Sequence, residues 1–211
     1  IIMENGKRWA HAATREFWGE LAPCEHVLQL YESERSFIAT LAGFVGDGIN
    51  KGDCTIVIAT REHLSALDSA LKEHGLKVDC LKKEGLYRPL DAKEALSRFM
   101  EDNWPDSEKF HAYIGRLFEE AKSAGRKVRA FGEMVALLWA EGNNGATVQL
   151  EHLWNEFCSS AELTLFCAYP KSGFTDAPES SLAQICNAHA KIISGGLVSE
   201  HMVSYMPSEQ F

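Results

Sequence analysis

A carboxylate set directly behind a glycine, at the end of an apolar run, is the first feature of this chain with the makings of chemistry. Val128-Arg129-Ala130-Phe131 breaks at Gly132, Glu133 follows at once, and Met134 to Trp139 reads as a helix. Glu133 there can stabilise the positive end of that helix. It can equally accept hydrogen bonds from a ligand, from Arg129 or from Arg61, or act as a general base. Tyr31 and Tyr169 each close an apolar run and offer an aromatic face with a hydroxyl. Each either covers a cleft or caps the core.

Histidines and cysteines are the other reactive types. His26 heads the first apolar run and His189 falls on the apolar face of a late helical segment. Both read as core histidines bonded to their surroundings. A metal site drawn from His26, His189, Cys167 and a carboxylate has no support in their spacing, so neither metal nor cofactor is expected. The six cysteines, at 24, 54, 80, 158, 167 and 186, contain no CxxC pair. Cys54 and Cys167 sit inside apolar runs, where cysteine acts as a small hydrophobe, and reduced thiols in a cytoplasmic protein are expected.

Nucleotide hydrolysis is disfavoured. A phosphate loop needs glycines for its backbone cradle, a lysine and a Ser or Thr for magnesium. The chain after the first run reads Tyr31-Glu32-Ser33-Glu34-Arg35-Ser36-Phe37, without glycine or lysine and with two carboxylates. Gly46-Asp47-Gly48-Ile49-Asn50-Lys51-Gly52 precedes an apolar run instead of following one, so it reads as a turn. Neither GxSxG nor HExxH occurs.

The elements that must carry these residues alternate. Strands are expected at Glu25–Tyr31, Asp53–Ala59, Leu86–Leu90, from near Lys127 to Phe131, and at Leu163–Tyr169, the third at an edge because of Pro89. Helices are expected between them: one from Ser33 with Phe37, Ile38, Leu41, Phe44 and Val45 inward, broken by Gly46, Gly48 and Gly52; one from Thr60 to Glu73; one opened by Asp91 and Glu94, with Ala92, Ala95, Leu96, Phe99 and Met100 as its face; and one with Phe110, Ile114 and Phe118 inward. Leu150, Leu153, Trp154, Phe157 and Cys158 mark another, and Leu182, Ile185, Cys186, His189 and Ile193 a last. Leu76–Glu84 suits either a short strand or one helical turn. Asn103-Trp104-Pro105-Asp106 reads as a turn. His11–Leu21 reads as a helix lying on the core. The expected organisation is therefore an appended helix at 1–24, one domain at 25–193 and a tail at 194–211.

Runs apolar on both faces, alternating with helices, imply βαβ units and a mainly parallel sheet between helix layers. Ligands of such sheets bind beyond the carboxyl ends of the strands. That rule selects Tyr31, Glu32 and Ser33, Thr60 and Arg61, Asp91, Gly132 and Glu133, Tyr169 and Pro170.

The chain has 211 residues and a net charge of −9 with no strongly basic segment, so direct nucleic-acid binding is not expected. No apolar run is long enough to span a bilayer. The opening Ile1-Ile2-Met3-Glu4-Asn5 lacks the regions of a secretion signal, and none is expected.

Five pieces in order resemble the MEDS domain family, named for methanogen and methylotroph sensory proteins that include the dichloromethane regulator. They are His26-Val27-Leu28-Gln29-Leu30-Tyr31-Glu32, Arg129-Ala130-Phe131-Gly132-Glu133-Met134-Val135, Leu150-Glu151-His152-Leu153-Trp154-Asn155, Leu165-Phe166-Cys167-Ala168-Tyr169-Pro170 and Ile185-Cys186-Asn187-Ala188-His189. The resemblance spans Glu25 to Ile193. It implies a sensory domain with a three-layer α/β fold: a mainly parallel five-stranded sheet with helices on both faces, like the RecA and circadian-clock ATPases but without a P-loop. It places the first strand centrally, flanked by the fourth and fifth, so that Tyr31, Glu32, Glu133 and Tyr169 converge on one cleft.

Relatives are proposed to sense small hydrocarbon derivatives, beside or fused to histidine kinases or DNA-binding modules. No such output module is visible here, so a partner, a histidine kinase or transcription regulator, is expected to read the signal. A homodimer is also left open. The reading is a non-catalytic sensory domain that binds a small organic ligand through Tyr31, Glu32, Ser33, Arg61, Glu133 and Tyr169. The alternatives are a degenerate RecA-like nucleotide-binding domain, a pure protein-interaction module, and an enzyme using Glu133 as base.

Overall fold

The computed structural model describes residues 25–122, 125–161, 163–174, 183, 185–189, 191–194 and 203–204. The helix expected before residue 24 lies outside them, as does Leu182.

The five anticipated strands are present: β1 (His26–Tyr31), β2 (Cys54–Ala59), β3 (Tyr87–Asp91), β6 (Val128–Gly132) and β7 (Thr164–Pro170). Between β3 and β6, β4 (Met100–Glu101) and β5 (Trp104–Pro105) form a separate antiparallel pair. Two more strands, β8 (Lys191–Ser194) and β9 (Val203–Ser204), extend the main sheet. Its order is β3-β2-β6-β7-β1-β8-β9, parallel throughout except for β9. The sheet thus exceeds the expected five strands by a sixth parallel strand and a short antiparallel one.

The neighbours of β1 also differ from expectation. It is flanked by β7 and β8, and β6 lies between β2 and β7. The late helix stops early: residues 185–187 are helical, but Lys191–Ser194 is extended. The reason is visible in Ile192 and Ile193. The first packs into one core and the second into the other, as adjacent strand residues do.

The helices are α1 (Glu34–Lys51), α2 (Arg61–Glu73), α3 (Val78–Lys83), α4 (Ala92–Leu96), α5 (Ser107–Lys122), α6 (Met134–Ala140) and α7 (Asn144–Ala161). The ambiguous Leu76–Glu84 stretch is therefore helical. Helix α4 is shorter than its apolar spacing suggested. Met100 pairs with Pro105 instead, because Asp102 and Asn103 take left-handed backbone (φ 47° and 62°) and close a hairpin.

Helix α1 runs through Gly46 and Gly48 and stops only at Gly52, whose φ of 79° suits a left-handed C-cap. Gly48 is there for space. A Cβ on it would lie 2.7 Å from Thr55 Oγ1 and 2.8 Å from Arg129 Cδ.

Alternation along the strands divides the interior into two cores. Val27, Val57, Phe131, Phe166 and Ala168 face one side with α1, α2 and α3. Leu28, Ile56, Ile58, Ala130, Leu165, Cys167 and Tyr169 face the other with α4 to α7. Buried Arg129 fastens β6 to the end of α1. It donates to Asp53 Oδ2 at 2.6 and 3.1 Å, to Asp47 Oδ2 at 3.0 Å and to the Phe44 carbonyl at 3.2 Å. It is therefore not the partner of Glu133. As the second residue of β6, it is engaged by the carboxylates at the end of α1 and the start of β2.

Candidate functional site

At the carboxyl rim, β2 ends at Ala59 and Thr60 caps α2, its Oγ accepting from the His63 amide at 3.3 Å. Strand β6 ends one residue before Glu133, whose amide donates to the Ile58 carbonyl at 2.8 Å. The Glu133 carboxylate then spans the gap between the two exits. Oε2 accepts from the Thr60 amide at 2.8 Å, and Oε1 lies 2.7 Å from His63 Nδ1.

Glu133 is buried and makes no side-chain cap for α6. Its carboxylate latches the two strand ends together instead of capping the helix with a side-chain hydrogen bond. The hydrogen bond to Glu133 raises the His63 pKa above the usual imidazole value. Phe37 packs edge-on against the His63 ring at 5.0 Å, and Tyr31 stacks on Phe37 at 4.8 Å. Burial, with Glu133 and Glu34 adding, pushes the Tyr31 phenol up to about 12. Tyr31 and Glu133 therefore do share one assembly, joined through Phe37 and His63.

Arg61 is not a Glu133 partner either. Its Nε donates to Asp91 Oδ2 at 2.9 Å across the ends of β2 and β3, with the side chain 82% exposed. Asp91 also caps α4 by accepting from the Glu94 amide at 2.9 Å. That bond and the Arg61 contact hold its carboxyl below the ordinary value. These side chains border an open cleft of about 580 Å³, lined by Thr60, Arg61, Glu62, Asp91, Lys93, Glu94 and Leu137.

Glu32 is exposed and accepts from Lys171 Nζ at 2.7 Å, a bond that lowers its pKa. Ser33 serves as the N-cap of α1, accepting from the Ser36 amide at 3.3 Å.

Tyr169 does not converge with Tyr31 and Glu133. Strand alternation turns its ring into the opposite core, where it lies near Trp139 and Phe174. Its hydroxyl donates to Glu151 Oε1 at 2.6 Å. Glu151 in turn belongs to a second, fully internal assembly. Its Oε2 lies 3.6 Å from His26 Nε2 and 3.6 Å from His189 Nε2, and His26 Nε2 is 3.2 Å from Cys167 Sγ.

All four of these residues are buried, and one ligand atom from each falls within 4.8 Å of every other. Burial pushes the Glu151 carboxyl up to about 8 and the Cys167 thiol well above its usual value. It lowers both imidazoles, His189 to about 4. The two histidines are core residues as expected, but in company that their spacing did not reveal.

Two participants went unnoticed in the sequence, His63 and Glu151, and both left a trace. Glu151 occupies an inward helical register with Thr147, Trp154 and Cys158, where a lone carboxylate is out of place. His63 shares the inward stripe of α2 with Leu67 and Leu71.

Together these features define a three-layer α/β domain with a polar rim at its strand ends, a sealed polar centre and no phosphate loop after β1. Residues 25–190 match the family model described as MEDS, the methanogen/methylotroph, DcmR sensory domain, and the chain belongs to that family. The family is defined by a sensory role, not a catalytic one. No curated protein matches the chain. Among the described residues no helix is long and apolar enough to cross a membrane.

Proposed function

We propose that this domain is a non-catalytic, cytoplasmic sensor that binds a small organic ligand in the rim cleft and signals through a partner protein, a histidine kinase or transcription regulator. The observation that carries the reading is the cleft bordered by Thr60 and the Arg61–Asp91 pair, which meets the Glu133 latch at Thr60. Its lining sets Arg61 and Lys93 against three carboxylates and one apolar side chain, Leu137. That suits a ligand with polar or charged groups better than a bare hydrocarbon.

A ligand shifts a sensor only if it binds one arrangement better than another. Thr60 supplies the link: any movement of its backbone at the cleft alters the amide that Glu133 accepts. Glu133 as a general base is the weaker reading, because both of its oxygens already face donors.

The test is isothermal calorimetry of the full chain against a metabolite panel that includes nucleotides. A binder is expected, and Arg61→Ala should weaken it at least about tenfold, the effect of one charged hydrogen bond. The melting temperature should not move, because Arg61 is exposed. Absence of any binder, or a binder indifferent to Arg61→Ala, would overturn the reading.

A further inference from the structure

We propose that His26, Glu151, Cys167 and His189 form a binding site for one borderline divalent transition metal ion, zinc being the best fit. The site is separate from the rim cleft and shares no residue with it.

The donor set comes first. Two imidazoles, one thiol and one carboxylate make a mixed N, S and O set, of the kind that zinc accepts in four-coordinate sites. Tetrahedral metal–ligand bonds of about 2.0–2.3 Å require ligand atoms about 3.3–3.7 Å apart. The two separations from Glu151 Oε2, 3.6 Å each, fall in that range, His26 Nε2 to Cys167 Sγ at 3.2 Å lies just below it, and all four atoms are within 4.8 Å of one another.

The orientation of the groups points the same way. His189 Nδ1 donates to the Ile185 carbonyl at 2.6 Å, which fixes the tautomer and leaves the Nε2 lone pair aimed at the centre. Glu151 is held from behind by the Tyr169 hydroxyl on Oε1, so that Oε2 is the atom turned inward. These are the outer contacts that a metal site uses to aim its ligands.

Without a cation, the arrangement makes poor electrostatic sense. Glu151 Oε2 and His189 Nε2 are buried and have no hydrogen-bond partner among the described residues. At 3.6 Å the two atoms are too far apart to hydrogen-bond each other, so each forfeits its hydration in the core without gaining a partner. A divalent ion satisfies both at once and takes Cys167 as thiolate and Glu151 as carboxylate, with the protons they carried released to solvent.

The four ligands also come from four separate places: β1, α7, β7 and the turn before β8. Metal would therefore tie the segment that carries β8 to the centre of the sheet, and loading should stabilise the whole domain.

The test uses the full chain in a Cys80→Ser background, which removes the one cysteine that is exposed among the described residues. The protein is stripped with chelator, checked for native circular dichroism and titrated with cobalt(II), then with zinc. The expected result is one cobalt per chain with a thiolate-to-metal charge-transfer band in the near ultraviolet, displaced by zinc, and a higher melting temperature on loading. Cys167→Ser should abolish the band, and His189→Gln should weaken cobalt binding at least about tenfold. If Cys167→Ser fails to fold, the His189→Gln titration decides. A natively folded stripped protein that gives no band, a band that survives Cys167→Ser, or binding unchanged in His189→Gln would each overturn the site.

Discussion

Glu133 accepts from two donors, and the two do not behave alike with pH. The Thr60 amide is constant, whereas His63 titrates. The hydrogen bond to Glu133 raises the folded-state pKa of His63 above 6.5. Its stabilising contribution is therefore complete below about pH 6.5 and fades as pH rises through the raised value. Glu133→Gln should destabilise the domain by about 1–2 kcal/mol near pH 6, and the gap to the parent should narrow by pH 9. Urea unfolding of the pair across that range checks it; a gap independent of pH would show that the histidine is not coupled to the carboxylate.

At this scale the sequence was partly legible. Glu133 stood out because a strand, a glycine and a helix bracket it. His63 did not, since a histidine in a first helical turn has many uses. Tyr169 was read correctly as a strand end but assigned to the wrong face, because a one-residue change in strand phase reverses a side chain.

The elements show a different kind of legibility. Strands buried on both sides announced themselves as unbroken apolar runs, and caps such as Ser33, Thr60 and Asp91 marked helix starts correctly. Errors arose where a tertiary contact overrode a local signal. Gly48 resembles a helix breaker, yet it is a point of close approach between α1, Thr55 and Arg129. Gly48→Ala should therefore destabilise by about 1–3 kcal/mol, although alanine is the better helix former.

Arg129→Met tests the same junction from the other side. It leaves buried Asp53 without its Arg129 counter-charge and Asp47 with Lys51 alone, and should lower stability by about 3–5 kcal/mol. Chemical denaturation measures both variants. A stabilising Gly48→Ala, or an Arg129→Met within 1 kcal/mol of the parent, would contradict this packing account.

For the molecule as a whole, the sheet acts as a partition. Its carboxyl rim gathers Glu133, His63, Tyr31 and Arg61, on the exits of β1, β2 and β6 and the first turn of α2. The core on the α4–α7 side holds His26, Glu151, Cys167 and His189. The layered architecture was legible because burial on both faces of the strands requires helices on both sides. The strand order was not, because it depends on which pairs of runs meet, and β8 was hidden inside a helical spacing. The internal centre found no support in the spacing for the same reason: residues 26, 151, 167 and 189 become neighbours only once β1, β7 and α7 are packed.

The sensory reading rests on the rim, and amide chemical-shift mapping of the full chain during titration with the metabolite panel tests it most directly. The account predicts shifts concentrated at Thr60–His63, Asp91–Glu94 and Glu133, with the amides around Cys167 unmoved. Rim amides that stay still for every compound, or shifts gathered elsewhere on the domain, would contradict it.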